Sequence, residues 1–421
     1  MFKKTILKNK LRIITIPDKN TQAATVLVAV GAGSEYERKD LSGLSHFLEH
    51  MFFKGTKKFE KPKDVAEFLD KVGGDFNAFT GEEYTGYYAK VNAEHLDIAL
   101  NWVSDIFLNS RIPVQEIEKE RGVIIEELHM YHDNPQMHIG QLWKEVFYGD
   151  QPAGWDIGGT KETVSKVKRQ DILKYISSQY TSENTVVCVA GKINEKEIIE
   201  KVEKFFRSIK KGRANPKFKT EERKGGPRVL IDQRKTKQVN LALGVKAYDL
   251  FHEERIAANL LAVILGGMMS SRLFIEVREK LGAAYYVRTI NESMVDSGWL
   301  CTFAGVDQAK LFPVIQTIIK EYGKMAKQKI SQEELKKAKD YLKGRMVLGL
   351  ESSDEKAAHF GIQELLMNKT LTIEETFAKI DKVTSIDLQR VAKEMFKEEN
   401  LNLALIGPLK GEEQFKKLLK L

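Results

Sequence analysis

The pattern of apolar and polar residues alternates between strand-like and helix-like segments along the chain. Apolar runs bounded by turn residues, such as the stretch from Leu11 to Val30 interrupted by Pro17-Asp-Lys-Asn-Thr, predict strand–turn–strand units. Longer segments with apolar residues three and four apart predict amphipathic helices. Within each half, strands cluster at the ends and helices fill the middle. This order predicts an α+β fold, in which hairpins build a mainly antiparallel sheet with helices packed on one face.

The two halves of the sequence are related by a shift of 216 residues. Under this shift, Arg12 falls on Arg228, Gln22 on Gln238, Val167 on Val383, and Asn184 on Asn400. The paired positions have the same local pattern, which indicates two copies of one domain. We predict homologous domains at 1–212 and 228–421, joined by an exposed linker at 213–227 that is poor in apolar residues.

One predicted helix, between Gly43 and Gly55, contains the sequence His46-Phe-Leu-Glu49-His50. Residues four apart share a face of a helix, so the two imidazoles point at one spot with the carboxylate beside them. Two histidines and one acid are the minimum for a catalytic zinc site, and this order is the inverted zincin signature. The alternative is a buried histidine pair, but all three polar groups would then need partners. We therefore favour a metal site.

The duplication also bears on this motif. The 216-residue shift places residues 46–50 on residues 262–266 (Ala-Val-Ile-Leu-Gly), which contain no metal ligand. The second copy keeps the apolar helix without the histidines, so the helix itself does not require them. We predict that residues 1–212 form the zinc-binding catalytic domain and that 228–421 form a metal-free domain with another task.

Zinc needs a third protein ligand and one open position. The candidates in reach are His95, Glu120, Glu126, Glu127, His129 and His132. Residues 117–130 have the apolar spacing of a helix, on which Glu120 and Glu127 share a face two turns apart. Glu126 lies about 100° away from Glu127 on the same helix. Spacing alone makes Glu127 only a modest favourite.

The motif from His46 to His50, followed by Glu127, resembles the pitrilysin, insulysin and mitochondrial processing peptidase family. No position of the family motif is substituted. The resemblance implies that His46, His50 and Glu127 bind one zinc ion. It also implies that Glu49 is the general base and Glu120 an auxiliary acid, so the implied activity is that of a zinc metalloendopeptidase.

Two further segments carry the resemblance. Residues 73–80 (Gly-Gly-Asp-Phe-Asn-Ala-Phe-Thr) resemble the family's edge strand, which implies that Asn77 and the backbone of Ala78 contact the peptide. An edge strand can add an extended peptide through main-chain hydrogen bonds. The alternative is an ordinary strand before a turn at Gly81.

Residues 271–287 resemble the family's arginine and tyrosine segment. The resemblance implies that Arg278 and Tyr285 reach the substrate and stabilise the oxyanion, which would give the metal-free half its task. The local pattern alone would make them a surface arginine and a core tyrosine. Arg272 is expected to be structural.

Composition excludes several other classes of protein. With 42% apolar and 30% charged residues, the 421-residue chain is ordinary for a globular protein. The net charge is +8, but the basic residues are spread along the chain and alternate with acidic ones. No nucleic-acid-binding motif is present. Cys188 and Cys301 are predicted to be buried reduced thiols. No apolar run is long enough for a membrane span, and lysines interrupt the start before a signal-peptide core develops, so the expected location is cytoplasmic.

The resemblance further implies an assembly. Family members of about this length pair into homodimers that enclose a chamber, which admits short peptides or unfolded polypeptide. One alternative is a catalytic subunit that needs a separate partner subunit, and another is a non-enzymatic core-type scaffold subunit. A nucleotide enzyme is the weakest alternative, because Gly31-Ala-Gly33 and Gly266-Gly267 lack the context of a phosphate loop.

Overall fold

The structure, a computed structural model, describes residues 2–223 and 225–421. Its strands are β1 (Lys3–Ile6), β2 (Arg12–Pro17), β3 (Ala23–Val30), β4 (Asp75–Thr80), β5 (Thr85–Asn92), β6 (Thr185–Gly191), β7 (Arg228–Gln233), β8 (Val239–Lys246), β9 (Ala284–Ser293), β10 (Gly298–Val306) and β11 (Asn402–Gly407). Its α-helices are α1 (Leu44–Phe52), α2 (Pro62–Asp70), α3 (Leu96–Asn109), α4 (Val114–Asp133), α5 (Pro135–Tyr148), α6 (Lys161–Val164), α7 (Arg169–Gln179), α8 (Glu195–Phe205), α9 (Arg255–Ala262), α10 (Leu311–Lys327), α11 (Gln332–Gly349), α12 (Ser353–Met367), α13 (Ile373–Lys382), α14 (Ser385–Met395) and α15 (Glu412–Lys416). Two π-helical segments, Val263–Gly267 and Phe274–Lys280, follow α9.

The chain forms two compact units. Unit 1 comprises residues 1–128, 156–218 and 347–372, and unit 2 comprises residues 129–155, 219–346 and 373–421. Each unit contains one sheet with its own apolar core. The α+β class with two units is therefore confirmed.

The sheet of unit 1 has the strand order β1-β2-β6-β3-β5-β4. Strands β2 and β6 are parallel, and all other neighbours are antiparallel. The predicted hairpin from Leu11 to Val30 is wrong, because β6 lies between β2 and β3. The turn after β2 crosses over β6 instead, and the Asp18 backbone N–H donates to the carbonyl of Gly191 at 2.7 Å. Local pattern predicted both strands, but their pairing depended on a segment about 160 residues away.

The sheet of unit 2 has the order β7-β11-β8-β10-β9, with β7 and β11 parallel. It repeats the arrangement of unit 1, and among the described residues, 2–223 and 225–421, it has no counterpart of β1. Under the 216-residue shift, β2 falls on β7, β3 on β8 and α7 on α14, each with identical bounds. The repeat seen in the sequence is thus a repeat of structure.

The units are not contiguous in the sequence, because each contains one helix from the other half. Helix α12 lies on the sheet of unit 1, where Gly361 packs so closely that an added Cβ would lie 3.0 Å from the Cβ of Cys188. Helix α5 lies on the sheet of unit 2, where Trp143 belongs to one buried apolar cluster with Ala242 and Phe303. The compact units therefore differ from the contiguous ranges 1–212 and 228–421. Each of these two helices packs in the unit whose sheet buries its apolar face.

The predicted linker is anchored at several of its residues, among them Phe218, whose backbone N–H donates to the carbonyl of Glu35 at 3.1 Å. Lys217, whose side chain is 10% exposed, forms ion pairs with the buried carboxylates of Glu35 and Glu83 in unit 1. Cys188 and Cys301 are buried free thiols, as predicted. Within residues 2–223 and 225–421, no helix is long and apolar enough to cross a membrane.

Candidate active site

A buried glutamate outside helix α1 accepts hydrogen bonds at the start of this helix. Gly43 has φ 94°, a left-handed conformation that glycine adopts without strain, and α1 starts directly after it. The Glu37 carboxylate accepts hydrogen bonds from the backbone N–H groups of Gly43 at 2.7 Å and Ser45 at 2.5 Å. These contacts satisfy N–H groups that have no partner inside the helix. The buried face of α1 consists of Leu44, Ser45, Phe47, Leu48, Met51 and Phe52.

The opposite face of α1 presents His46, Glu49 and His50, as the i, i+3, i+4 spacing predicts. Helix α4 places Glu127 against both imidazoles. The Oε2 atom of Glu127 lies 3.6 Å from Nε2 of His46 and 3.5 Å from Nε2 of His50. Ligands bonded to one tetrahedral zinc ion at about 2.1 Å lie about 3.4 Å from one another. The two separations from the Glu127 oxygen therefore fit zinc, and all three donor atoms lie within 4.8 Å of one another.

Burial of the donors agrees with a catalytic rather than a closed structural site. The side chains of His46, His50 and Glu127 are 15%, 20% and 25% exposed, which leaves access for a further ligand. The Nδ1 atom of His46 is buried and has no hydrogen-bond partner among the residues that the structure describes. Its Nε2 atom faces the other donors, 3.6 Å from Oε2 of Glu127, and is the nitrogen available to a metal. Of the six candidates for the third ligand, Glu127 is the one that joins this group within residues 2–223 and 225–421.

Glu120 contacts the other nitrogen of His50. Its Oε2 lies 3.1 Å from His50 Nδ1, and its Oε1 lies 2.7 Å from the ammonium group of Lys54. A carboxylate on the far nitrogen fixes the tautomer and orientation of a metal-binding imidazole. Glu120 is suited to that task, because its side chain is only 8% exposed.

Burial and neighbouring charged groups shift the pKa values of the site residues. Burial lowers the pKa of His50, but hydrogen bonds to Glu120 and Glu127 outweigh burial and raise it to about 9. Burial and the neighbouring His50 lower the pKa of His46. Burial raises the pKa of Glu49, whereas the hydrogen bond from His50 lowers that of Glu127. Acidic groups thus surround the two imidazoles, and a cation placed between them would be stabilised by charge.

Residues 12–161 match the family described as insulinase (peptidase family M16), and residues 166–342 match the peptidase M16 inactive domain. The chain is 36% identical to the uncharacterized zinc protease YmxG of Bacillus subtilis, over 97% of this chain and 98% of that protein. The chain belongs to the M16 peptidase family. It is a metallopeptidase, and its cofactor is zinc.

Further proteins similar to this M16 peptidase support the same family and fold. An uncharacterized zinc protease of Mycobacterium leprae is 35% identical over 99% of this chain and 94% of that protein. A protease from Helicobacter pylori has a crystal structure that superposes with a TM-score of 0.89 at 26% identity, over 97% of this chain and 99% of that one. A peptidase M16 inactive domain from Pseudomonas fluorescens, at 16% identity and TM-score 0.89 over 97% and 99%, shows the same fold.

Sequence reasoning missed three residues at the site of this M16 chain. The Thr80 hydroxyl donates a hydrogen bond to Oε2 of Glu49, Lys54 pairs with Glu120, and Glu37 holds the start of α1. Lys54 could have been found, because it lies only four residues after His50, just past the end of α1 at Phe52. Thr80 and Glu37 had no local signal, because their partners lie on other elements.

Strand β4 is an edge of the unit 1 sheet, as the resemblance implied. Asn77 is exposed, and its Oδ1 accepts a hydrogen bond from the backbone N–H of Ala78 at 2.9 Å. This N–H group faces the open side of the sheet, and an added peptide strand could pair with it once the Asn77 amide moves aside.

Arg278 and Tyr285 lie in unit 2, at the end of the second π-helical segment and the start of β9. Both side chains are exposed, Tyr285 by 76%, and the Arg278 guanidinium lies 5.1 Å from the ring of Phe274. Tyr285 is therefore not the core residue that its local pattern would suggest. Arg272 forms a bidentate pair with Glu334 at 2.8 and 2.6 Å, which agrees with a structural role.

A second cluster of potential ligands lies in unit 2, where His132, His138 and Asp232 come together. The guanidinium of Arg234 occupies the same Asp232 carboxylate, with its Nε 2.7 Å from Oδ2, and also donates to the carbonyl of His132. Arg234 thus already supplies the positive charge that a metal ion would bring. We assign no metal to this cluster.

Proposed function

We propose that this M16 chain is a zinc endopeptidase that cleaves peptides and unfolded polypeptide segments, with His46, His50 and Glu127 as the zinc ligands. The observation that carries the proposal is that the three donor atoms lie within 4.8 Å of one another. The Glu127 oxygen lies 3.6 and 3.5 Å from the two histidine nitrogens, which fits tetrahedral zinc, and the proposed base Glu49 follows His46 by three residues on α1.

His46, His50 and Glu127 would hold the zinc ion, which would supply polarisation of the scissile carbonyl and activation of a water molecule. Glu49 accepts a proton from the attacking water and donates it to the leaving amine. Glu120 keeps His50 in one orientation throughout. Burial favours proton uptake by Glu49, because it raises the pKa of this carboxyl group.

The proposed substrate is an extended segment bound along β4. Asn77 and the Ala78 backbone are the proposed contacts, and the support is that β4 ends the strand order of its sheet. A folded protein cannot offer a strand of this kind, which restricts substrates to short or unfolded chains. We further propose that Arg278 and Tyr285 bind the substrate and stabilise the oxyanion. The exposure of both side chains supports this role.

A homodimer that encloses a chamber is part of the proposal, and the support is the resemblance over the whole chain to family members of this length. A cytoplasmic location is supported by the two free thiols, since reduced cysteines are typical of that compartment. Light scattering tests the dimer, and activity of the purified chain alone distinguishes it from a subunit that needs a partner.

The central test is digestion of a peptide library by the purified chain, with and without a chelator, read by mass spectrometry. We expect internal cleavages that the chelator abolishes and zinc restores. The Glu49→Gln variant should keep zinc and lose turnover, whereas Glu118→Gln, at an exposed position of α4, should match the wild type. An active Glu49→Gln protein would contradict the proposed base, and a metal-free wild type would favour the scaffold alternative.

A further inference from the structure

We propose that Thr80, at the end of the proposed peptide-binding strand β4, is a positioning residue for the general base Glu49. The inference rests on the proposed function. Thr80 is the last residue of β4, and its hydroxyl donates to Oε2 of Glu49 on α1. The two residues are 31 positions apart in the sequence, so the contact exists only because the strand and the helix pack together.

The position of Thr80 is held from the strand side. Thr80 pairs with Thr85 at the closed end of the β4–β5 hairpin, and the Thr85 hydroxyl donates to the carbonyl of Ala32 at 2.8 Å. In the turn, the Gly81 N–H donates to the carbonyl of Tyr84 at 2.8 Å. Thr80 therefore lies where the strand has least freedom to shift.

The turn itself is docked on neighbouring backbone. Gly33 lies so close to it that a side chain there would collide with the carbonyls of Gly81 and Glu82. The Glu35 N–H donates to the Glu82 carbonyl at 2.9 Å, and Lys217 pairs with Glu83 at 2.8 Å. These contacts fix the hairpin end and, through it, the Thr80 hydroxyl.

The hydroxyl restricts a side chain that otherwise has rotational freedom. A glutamate carboxylate turns about three bonds, and a base must be held close to its productive geometry to act. Because Oε2 of Glu49 accepts the hydrogen bond from Thr80, Oε1 is the carboxylate oxygen that is left for proton transfer. The proposed peptide contact at Ala78 lies two residues before Thr80 on the same strand, so the residue that orients the base is close to the substrate without binding it.

The test compares Thr80→Val, which keeps the shape but has no donor, with Thr80→Ser, which keeps the hydroxyl. We expect Thr80→Val to lower kcat by about 10- to 100-fold, the range typical for residues that orient a catalytic group, while KM changes less than about twofold. Thr80→Ser should recover most of kcat. Thr5→Val is the matched control, because Thr5 is also half-buried and lies on β1 at the opposite edge of the same sheet.

Two measurements independent of turnover accompany the kinetics. Zinc content and the unfolding temperature of Thr80→Val should equal those of the wild type. In a Glu49→Gln background, peptide affinity measured by fluorescence anisotropy should not change when Thr80→Val is added. These results would separate loss of base orientation from loss of metal, fold or substrate binding.

The inference is overturned if Thr80→Val keeps the wild-type kcat, if Thr80→Ser is as impaired as Thr80→Val, or if the loss lies in KM or in zinc content. In these cases, an inactive Glu49→Gln protein would leave the proposed function intact. If Glu49→Gln instead turns over peptide like the wild type, the proposed function fails and the inference fails with it.

Discussion

The Nδ1 atom of His50 lies 3.1 Å from Oε2 of Glu120, on the side of the imidazole away from Glu127. Lys54 holds the second oxygen of the same carboxylate at 2.7 Å. The contact assigns the proton of the neutral imidazole to Nδ1 and leaves Nε2 free for metal. Under the proposed function, Glu120 and Lys54 therefore orient His50 as a zinc ligand.

This relationship predicts that Glu120→Ala weakens zinc binding without removing a ligand. Loss of the acceptor frees the imidazole to rotate, and we expect zinc affinity to fall by about 10- to 100-fold. Competition with a fluorescent chelator measures the dissociation constant directly. Glu118→Ala, on the exposed side of the same helix, should bind zinc like the wild type. Unchanged affinity in Glu120→Ala would leave Glu120 without the orienting role.

The buried carboxyl of Glu37 should make stability depend on pH. Burial raises the pKa of Glu37 from 4.5 to about 7, although the hydrogen bonds that its carboxyl group accepts from backbone N–H groups lower it. A raised folded-state pKa means that stability is fully present below about pH 4.5 and is lost as pH rises through 7. The loss amounts to about 3 kcal/mol.

Comparison with Glu37→Gln isolates this effect, because glutamine does not titrate. The measurement is urea unfolding of the two metal-free proteins at several pH values. The difference in the free energy of unfolding, wild type minus variant, should fall as pH rises from about 4.5 to about 7. The shared metal ligands titrate in both proteins and cancel in the difference. A difference that is flat across this range would show that Glu37 stays ionised when folded.

Helix α12 should depend on one buried carboxylate for its place on the unit 1 sheet. The side chain of Glu364 is fully buried and pairs with Lys4 at 2.6 Å and Arg12 at 3.4 Å. Removing one partner of a buried pair costs about 3 kcal/mol or more. In Glu364→Ala, amide hydrogen exchange of residues 353–367 should therefore accelerate about 100-fold. Glu355→Ala, at an exposed position of α12, should leave this exchange unchanged.

The hydroxyl of Tyr285 should contribute to turnover only. If it stabilises the oxyanion, Tyr285→Phe loses about 100-fold in kcat while zinc content is unchanged. Tyr286→Phe is the control next in sequence: its hydroxyl donates to Asn240 at 2.9 Å, so its loss should affect stability rather than kcat. Equal turnover in both variants would remove Tyr285 from the oxyanion site.

Short-range pattern was a good guide to single elements. The helix expected between Gly43 and Gly55 is α1, the helix expected at 117–130 is α4, and the strand expected at 73–80 is β4. These predictions held because one face of each element must be apolar to pack on the core, and that requirement is visible in the spacing of residues. The hairpin from Leu11 to Val30 was wrong, because strand pairing is not a local property.

The sequence by itself determined which residues share a face of α1, that the chain is built from two copies of one domain, and that only the first copy has the histidines. Tertiary structure decided that Glu127 rather than Glu126 meets both imidazoles, that Thr80 reaches Glu49, and that α5 and α12 each pack on the sheet of the other half. The reason is physical. Periodicity fixes how one element is turned, whereas the elements that meet are chosen by burial and hydrogen bonding between segments far apart in the chain.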